Sequence, residues 1–172
     1  GEILKQISKK KIKEDKFFSN TKLEDLIDEI IISFKETSSK KISLISNDNK
    51  NNFNFQRSPE LVYGLRNFIG NAVKFSKSTV EIILISDSKT IVIKINDDGP
   101  GYQDDVKEII GEPYIKSKSN LVSYNSGTGL GTFLGKTLLE RKSANLNFDK
   151  DIKLGGASVT ISWNIDDLSS SV

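Results

Sequence analysis

The sequence predicts one α+β domain in which helices pack on one side of a mixed β-sheet. Segments with helical spacing of apolar residues occur among short β-branched runs, and no internal repeat is visible. Of the 172 residues, 36% are hydrophobic and 28% charged, which is typical of a globular chain. No apolar run is long enough to cross a bilayer. No basic stripe interleaved with aromatic residues indicates a nucleic acid partner.

The first third of the chain predicts a helix followed by two strands. Residues 1–16 are rich in Lys and indicate the solvated end of an amphipathic helix. Thr21 and Glu24 have the spacing of a capping box, and apolar residues follow at helical spacing as far as Phe34. The alternating run 41–46 predicts a strand, and Phe53 with Phe55 suggests a second, shorter strand.

The remaining elements are a second helix, a hairpin, a third helix and two final strands. Ser58 followed by Pro59 is typical of a helix start, and the apolar spacing continues to Val73. The β-branched runs 79–86 and 89–96 are separated by a short turn and predict a hairpin. The last predicted elements are a helix over 130–141 and strands near 145–148 and 158–165.

Two absences limit the chemistry that this chain can perform. It contains no Cys, which excludes disulfides, thiolate nucleophiles and zinc clusters. It contains no His, which excludes Ser-His-Asp and Cys-His catalysis and any His-ligated metal. Acid–base chemistry must therefore come from carboxylates, amides, hydroxyls and Lys. A chain without Met that begins at Gly1 also suggests a fragment of a longer protein.

Nine of the twelve glycines lie between Gly99 and Gly156, and their spacing excludes two common nucleotide motifs. Residues 135–137 (Gly-Lys-Thr) match the end of a P-loop, but that motif needs a glycine where Leu130 stands. A Rossmann fingerprint that starts at Gly127 needs a glycine where Thr132 stands. The remaining signal, Gly127–Gly131, is a flexible loop that opens onto a helix. Such a loop is either a phosphate site at the helix N-terminus or simply the entry to the helix.

Two further groups of polar residues make the phosphate interpretation stronger. Asn67, Asn71 and Lys74 share one face of the second helix, and amide oxygens with water shells suit Mg²⁺. Asp97 follows a strand and precedes Gly99 and Gly101, so its carboxylate can accept a hydrogen bond from the exocyclic amine of a base.

In this order, the segments 67–74, 97–101, 127–131 and 155–156 resemble the N, G1, G2 and G3 boxes of the Bergerat fold. This is the ATP-binding domain shared by sensor histidine kinases, gyrase, Hsp90 and MutL. The resemblance covers roughly residues 23–165. It implies a two-layer α/β sandwich that binds ATP and Mg²⁺ beneath a mobile lid over residues 102–127.

Within this superfamily the chain most resembles the histidine kinases. Asn67 stands where the ATP hydrolases carry a water-activating Glu, and residues 111–118 resemble the F box of the kinases. More narrowly, residues 111–114, 136–141 and 155–157 resemble RegB/PrrB-type redox-responsive kinases. The resemblance implies the cytoplasmic kinase domain of a homodimeric protein of the bacterial inner membrane, which signals to a response regulator.

The resemblance also implies a role for each matching residue. Asn71 would hold Mg²⁺ with support from Asn67, Lys74 would contact the phosphates, and Asp97 would accept the adenine amine. Lys118 would reach the γ-phosphate when the lid closes, so the implied catalytic residues are Asn67, Lys74 and Lys118. The other nucleotide contacts implied are Phe75, Gly99, Gly101, Tyr114, Gly127, Thr128, Gly129, Leu130 and Gly131.

The chain departs from the family pattern at three points. Tyr114 replaces the usual Phe of the F box, and Ala157 replaces a Thr or Ser, which predicts weaker recognition of the base. The His that accepts the phosphate is absent, so it must lie on a preceding helical hairpin. We accordingly expect residues 1–20 to end that dimerisation domain, 21–167 to form the kinase domain and 168–172 to be a tail.

Two alternative functions are compatible with the same fold. An anti-sigma-type serine kinase uses it as a single domain, although the RegB-like boxes argue against this. A nucleotide-dependent interaction module without phosphotransfer is the other, although inactive relatives usually lose box residues and here the boxes are nearly complete.

Overall fold

The computed structural model describes residues 20–47, 54–102 and 128–170. Its helices are α1 (Leu23–Lys35), α2 (Pro59–Phe75), α3 (Thr128–Glu140) and α4 (Ile165–Ser170). Its strands are β1 (Asn20–Lys22), β2 (Lys41–Ser46), β3 (Asn54–Gln56), β4 (Thr79–Ser86), β5 (Thr90–Asp97), β6 (Asn145–Lys150) and β7 (Ala157–Asn164). None of the described helices is long and apolar enough to cross a membrane.

Five strands form one mixed sheet in the order β2-β4-β5-β7-β6. β2 runs parallel to β4, and the other neighbours are antiparallel. β1 and β3 pair separately as a short antiparallel sheet. The strand register aligns one apolar row across the main sheet, formed by Leu44, Ile82, Ile95, Val159 and Phe148. The predicted fold class, a mixed sheet with helices, is confirmed.

The core lies between this face of the sheet and the helices. Buried side chains alternate along the strands, as Val80, Ile82 and Leu84 do on β4. α1 and α2 each contribute an apolar stripe at helical spacing, which includes Ile27 and Leu65. Burying a side chain of this size contributes about 1.5–3 kcal/mol relative to leaving it in water. The sheet and the helices are therefore held together mainly by apolar contact.

The helix starts show which local signals the tertiary structure retains. Ser58 caps α2 as predicted, because its Oγ accepts a hydrogen bond from the Leu61 amide at 3.2 Å. The predicted capping box at Thr21 is wrong. Thr21 lies in β1 opposite Phe55, and α1 follows Lys22, which makes no side-chain cap bond. Because Thr21 pairs with β3 as part of a strand, it does not occupy the N-cap position of α1.

The last strand ends one residue earlier than predicted. The last strand ends at Asn164, and Ile165 begins the short helix α4. Leu168 of this helix is buried in the core, which fastens the end of the described chain to the domain. Residues 1–19, expected to be mostly the tail of a dimerisation helix, lie outside the described residues.

α2 and α3 approach closely through two glycines. A Cβ atom at Gly64 would lie 2.6 Å from Leu139 Cγ, and one at Gly135 would lie 3.2 Å from Asn67 Cβ. A side chain at Gly64 would overlap that of Leu139, and one at Gly135 would press against Asn67, so both glycines suit this close contact. The contact places α3 against the face of α2 that carries Asn67.

The turn from α2 into β4 is fixed from two sides. The Asp98 carboxylate accepts hydrogen bonds from the backbone amides of residues 77–79 at 2.8–3.2 Å. The Lys40 ammonium donates to three carbonyls at the C-terminus of α2, at 2.5, 3.2 and 2.8 Å, and these belong to Val73, Lys74 and Ser76. A cation at a helix C-terminus also interacts favourably with the helix dipole.

Replacing Gly64 with Val should destabilise the domain. The added side chain would overlap Leu139, which is fully buried, so the free energy of unfolding should fall by about 1–3 kcal/mol. Urea unfolding measures the change. Tyr63→Val, at the exposed neighbouring position of α2, is the control for the helix propensity of Val. A Gly64→Val protein as stable as this control would contradict the close packing of α2 and α3.

Removing the charge of Asp98 should alter the acid stability of the domain. Burial opposes ionisation of this carboxyl, but the hydrogen bonds from Ser78, Thr79 and Lys77 outweigh it and lower the pKa of Asp98 from 3.8 to about 2. A carboxyl with a lowered pKa stabilises the folded state above its unfolded pKa and loses that effect as the pH falls through its folded pKa.

The wild type should therefore exceed Asp98→Asn in stability above about pH 4, by about 1 kcal/mol once solvent screening of this partly exposed group is considered. The difference should disappear between about pH 4 and pH 2. Urea unfolding over this pH range measures it, with Asp149→Asn, an exposed carboxylate on β6, as the control. A difference that stays constant with pH would contradict the assignment.

Candidate functional site

A polar site lies where β5 ends, beside the C-terminal half of α2. Three other segments meet there, which are the turn after β5, the start of α3 and the glycine pair that leads into β7. The site is therefore assembled from segments that are far apart in the sequence.

Asp97, the last residue of β5, is the buried acidic group of this site, with 5% of its surface exposed. Its Oδ1 accepts hydrogen bonds from the amides of Gly99 at 2.9 Å and Ala157 at 3.1 Å. The Gly156 amide donates to the backbone carbonyl of Asp97 at 3.1 Å. Among the described residues, the bonds of the carboxylate go to Oδ1, so Oδ2 is the oxygen available to an external donor.

The electrostatics of Asp97 favour the arrival of a hydrogen-bond donor. Burial raises the pKa of this carboxyl, the amides of Gly99 and Ala157 oppose the rise, and the nearby charges of Asp98 and Asp151 add to it. A donor that reaches Oδ2 would stabilise the ionised form further, because it would replace the water that burial has removed.

Glycines allow the backbone to pass close to Asp97. A Cβ at Gly99 would lie 2.3 Å from the Phe75 carbonyl oxygen, and one at Gly156 would lie 2.4 Å from Asp97 Oδ1. Gly101 has a φ of +83°, the left-handed region that glycine adopts without strain. Gly99 and Gly101 lie in the turn after β5, and Gly156 is a further position where a side chain would collide with Asp97.

Ala157 has a contact that the sequence analysis did not foresee. Its missing hydroxyl was expected to weaken the site, but its backbone amide holds Asp97 Oδ1 directly. A backbone donor does not depend on the side chain, so this support is independent of residue type. The glycine pair immediately before the last strand was the available signal for such a close approach.

The polar face of α2 is organised by different partners. Asn67 donates from Nδ2 to the Tyr63 carbonyl of its own helix at 3.0 Å, whereas Asn71 donates from Nδ2 to Thr132 Oγ1 of α3 at 3.1 Å. Because the Asn71 amino group faces Thr132, the Asn71 carbonyl oxygen points away from it. Lys74 is exposed, and its ammonium lies 5.1 Å from the centre of the Phe75 ring.

Tyr102 follows Gly101 and is packed against the domain. Its ring meets that of Phe148 edge-on at 5.5 Å, and Phe148 in turn lies 5.9 Å from Phe68. Burial, and then the charge of Asp97, raise the pKa of Tyr102. Tyr102 was predicted as the first residue of the lid, and these contacts show that it is anchored to the domain.

The remaining predicted site residues follow Tyr102 in the sequence. Tyr114, Lys118 and Gly127 lie outside the described residues. The residues Thr128, Gly129, Leu130 and Gly131 form the first turn of α3, which begins two residues earlier than predicted. Their position is that of a helix N-terminus, where backbone amides lack intrahelical partners.

Within 20–47, 54–102 and 128–170, no group of three or more acidic side chains is placed to hold a metal ion. A cation at this site would depend on the Asn71 carbonyl, on water and on oxygens of the bound ligand. That donor set fits Mg²⁺, which binds few protein ligands and keeps several waters.

Comparison with known proteins identifies the domain family. Residues 56–167 match the family of histidine kinase-, DNA gyrase B- and HSP90-like ATPases. The sensor histidine kinase RegB of Cereibacter sphaeroides is 40% identical over 128 residues, which cover 65% of this chain and 28% of RegB. The sensor protein RstB of Escherichia coli is 30% identical over 99 residues, which cover 58% of this chain and 23% of RstB. The chain thus spans less than a third of these relatives.

Solved structures show the same fold. The catalytic domain of the histidine kinase ThkA superposes with a TM-score of 0.68 at 16% identity, covering 87% of this chain and 98% of that domain. The ATP-binding domain of PrrB from Mycobacterium tuberculosis superposes with a TM-score of 0.60 at 19% identity, covering 82% and 92%. These superpositions show a shared fold, and the family match over residues 56–167 shows that the chain belongs to the histidine kinase-, DNA gyrase B- and HSP90-like ATPase family.

Proposed function

We propose that this domain binds ATP with Mg²⁺ and transfers the γ-phosphoryl group to a His on a dimerisation domain of the longer protein. The observation that carries the proposal is the geometry of Asp97, a buried carboxylate with one oxygen held by two amides and the other available. The similarity to RegB favours a histidine kinase over a serine kinase and over an interaction module.

Asp97 would select the base. Its Oδ2 accepts a hydrogen bond from the exocyclic amine of adenine, while Oδ1 stays on the amides of Gly99 and Ala157. Guanine presents a carbonyl oxygen at the corresponding position, which would leave the carboxylate unpaired and facing another acceptor. A site built around a required hydrogen bond rejects such an analogue strongly.

The phosphates would extend from Asp97 along α2 towards the start of α3. Lys74 supplies positive charge, the first turn of α3 supplies free amides, and the Asn71 carbonyl is the protein ligand for Mg²⁺. Mg²⁺ would neutralise the charge that develops on the phosphate oxygens. Little else is needed, because phosphoryl transfer depends mainly on positioning and electrostatic stabilisation.

Asn67 makes hydrolysis unfavourable. An amide cannot take a proton from water as a carboxylate does, and the Nδ2 atom of Asn67 is already bound to the Tyr63 carbonyl of its own helix. The acceptor nucleophile must come from outside, since the chain has no His. The proposal also includes Lys118 at the γ-phosphate, Tyr114 as a lid anchor, and a homodimeric inner-membrane sensor that signals to a response regulator.

Replacing Asp97 with Asn should abolish or greatly weaken nucleotide binding. Oδ1 must still accept from two amides, so the amino group of Asn would occupy the Oδ2 position and face the adenine amine. Losing a hydrogen bond to a charged group costs about 1.5–3 kcal/mol, which is about 10- to 150-fold in affinity. Calorimetric titration with Mg-ADP measures this loss.

Asp149→Asn, an exposed site on β6, is the matched control and should bind as the wild type does. Mg-GDP should bind the wild type weakly or not at all. Equal ADP affinity in wild type and Asp97→Asn would contradict the assigned role, and a folded wild type that binds no nucleotide would overturn the proposal.

Phosphotransfer should require a second domain. With radiolabelled ATP, this chain alone should acquire no phosphohistidine, because it contains no His. When the dimerisation domain from the same protein is added, that domain should acquire acid-labile phosphate. Lys74→Ala should slow this transfer, because it removes positive charge beside the phosphates. Acid-stable phosphate on a Ser-bearing partner would instead indicate a serine kinase. No transfer at all, with ADP binding intact, would indicate an interaction module.

A further inference from the structure

The hydroxyl of Thr132 is used in a way that apolar packing does not require. Thr132 lies in α3 with 1% of its surface exposed, and its Oγ1 accepts a hydrogen bond from Asn71 Nδ2 at 3.1 Å. Thr137, on the same helix, makes the more ordinary local bond, donating to the Phe133 carbonyl four residues earlier. A Val at position 132 would fill the same volume, so the hydroxyl serves the contact with Asn71.

We propose that Thr132 is a positioning residue that sets the orientation of the Asn71 amide, so that its carbonyl oxygen faces the cation and phosphates. This inference rests on the proposed function. A side-chain amide has a donor end and an acceptor end of nearly equal size, and its terminal torsion is soft. Without a partner, the amide of Asn71 can rotate so that its amino group faces the cation. The partial positive charge of this amino group and the cation would then repel each other.

The position of Thr132 relative to Asn71 is held by the packing of the two helices. Gly64 lies against Leu139, and Gly135 lies against Phe68 and Asn67. These contacts fix α3 on α2, so Oγ1 stays within hydrogen-bond distance of Asn71. A hydroxyl carries two acceptor lone pairs and one donor, and accepting from Asn71 leaves its donor free.

Asn67 provides the internal comparison. It lies one turn before Asn71 on the same face of α2, but its amide is oriented by Tyr63 of its own helix. The amide of Asn67 is therefore hydrogen-bonded within α2, whereas that of Asn71 is hydrogen-bonded to α3. Removing the Thr132 hydroxyl should alter the contribution of Asn71 alone.

The test compares ADP binding with and without Mg²⁺. Calorimetric titrations of wild type, Thr132→Val and Thr132→Ser give, for each protein, the factor by which Mg²⁺ strengthens ADP binding. Thr132→Val should reduce this factor about 3- to 10-fold, which corresponds to losing one ordinary hydrogen bond. Its affinity for ADP without Mg²⁺ should remain within about twofold of wild type, and Thr132→Ser should restore the wild-type factor.

Two further comparisons exclude a general packing effect. In an Asn71→Ala background, Thr132→Val should have no further effect on the Mg²⁺ factor. Thr132→Ala, which also removes the hydroxyl, should behave as Thr132→Val does. Circular dichroism and urea unfolding establish which variants are folded.

Several results would overturn the inference. One is an unchanged Mg²⁺ factor in Thr132→Val and Thr132→Ala, and another is a Thr132→Ser protein that loses the factor as they do. In these cases nucleotide binding by the wild type, and with it the proposed function, would stand. A wild type that binds no ADP under either condition would overturn both.

Discussion

The carboxylate of Asp97 and the backbone around it determine the shape of the site. One oxygen binds an amide two residues later and another amide sixty residues away, so β5 is joined both to its own turn and to the start of β7. The Gly156 amide adds a bond to the backbone carbonyl. These contacts bring three backbone amides to 2.9–3.1 Å from oxygens of Asp97. Side chains at Gly99 and Gly156 would collide with the Phe75 carbonyl and with Asp97.

Helix α2 is the second constraint, and it is held at its C-terminal end and along its middle. The Lys40 ammonium satisfies carbonyls that the C-terminal turn leaves unpaired, and the Asp98 carboxylate accepts from amides of residues 77–79, which follow the helix. The glycine contacts with α3 hold its middle. Asn71 and Lys74 therefore project from a helix that cannot move relative to Asp97 without breaking several bonds. This rigidity is what a site for base and phosphates needs, because positioning accounts for most of the catalysis of phosphoryl transfer.

Sequence similarity and geometry contribute different information about the function. The family and the similarity to RegB identify the domain type. The geometry adds a contact that does not depend on the side chain at position 157, since the backbone amide of Ala157 donates to Asp97 Oδ1. It also adds Thr132 and Tyr102 to the residues around the site, neither of which belongs to a glycine box.

The sequence by itself determined most of the elements and indicated the family, but it did not predict β1 or α4. Helical periods, β-branched runs, the Ser58 cap and the spaced glycines are local patterns, and each depends on residues within a few positions of one another. Only the tertiary structure decided the contacts between Asn71 and Thr132 and between Asp97 and Ala157, whose partners are 61 and 60 residues apart. It also decided against the cap at Thr21, because pairing with Phe55 in β3 took that backbone. Hydrogen-bond partners so distant along the chain are chosen by how helices and strands pack, and no local pattern records that choice.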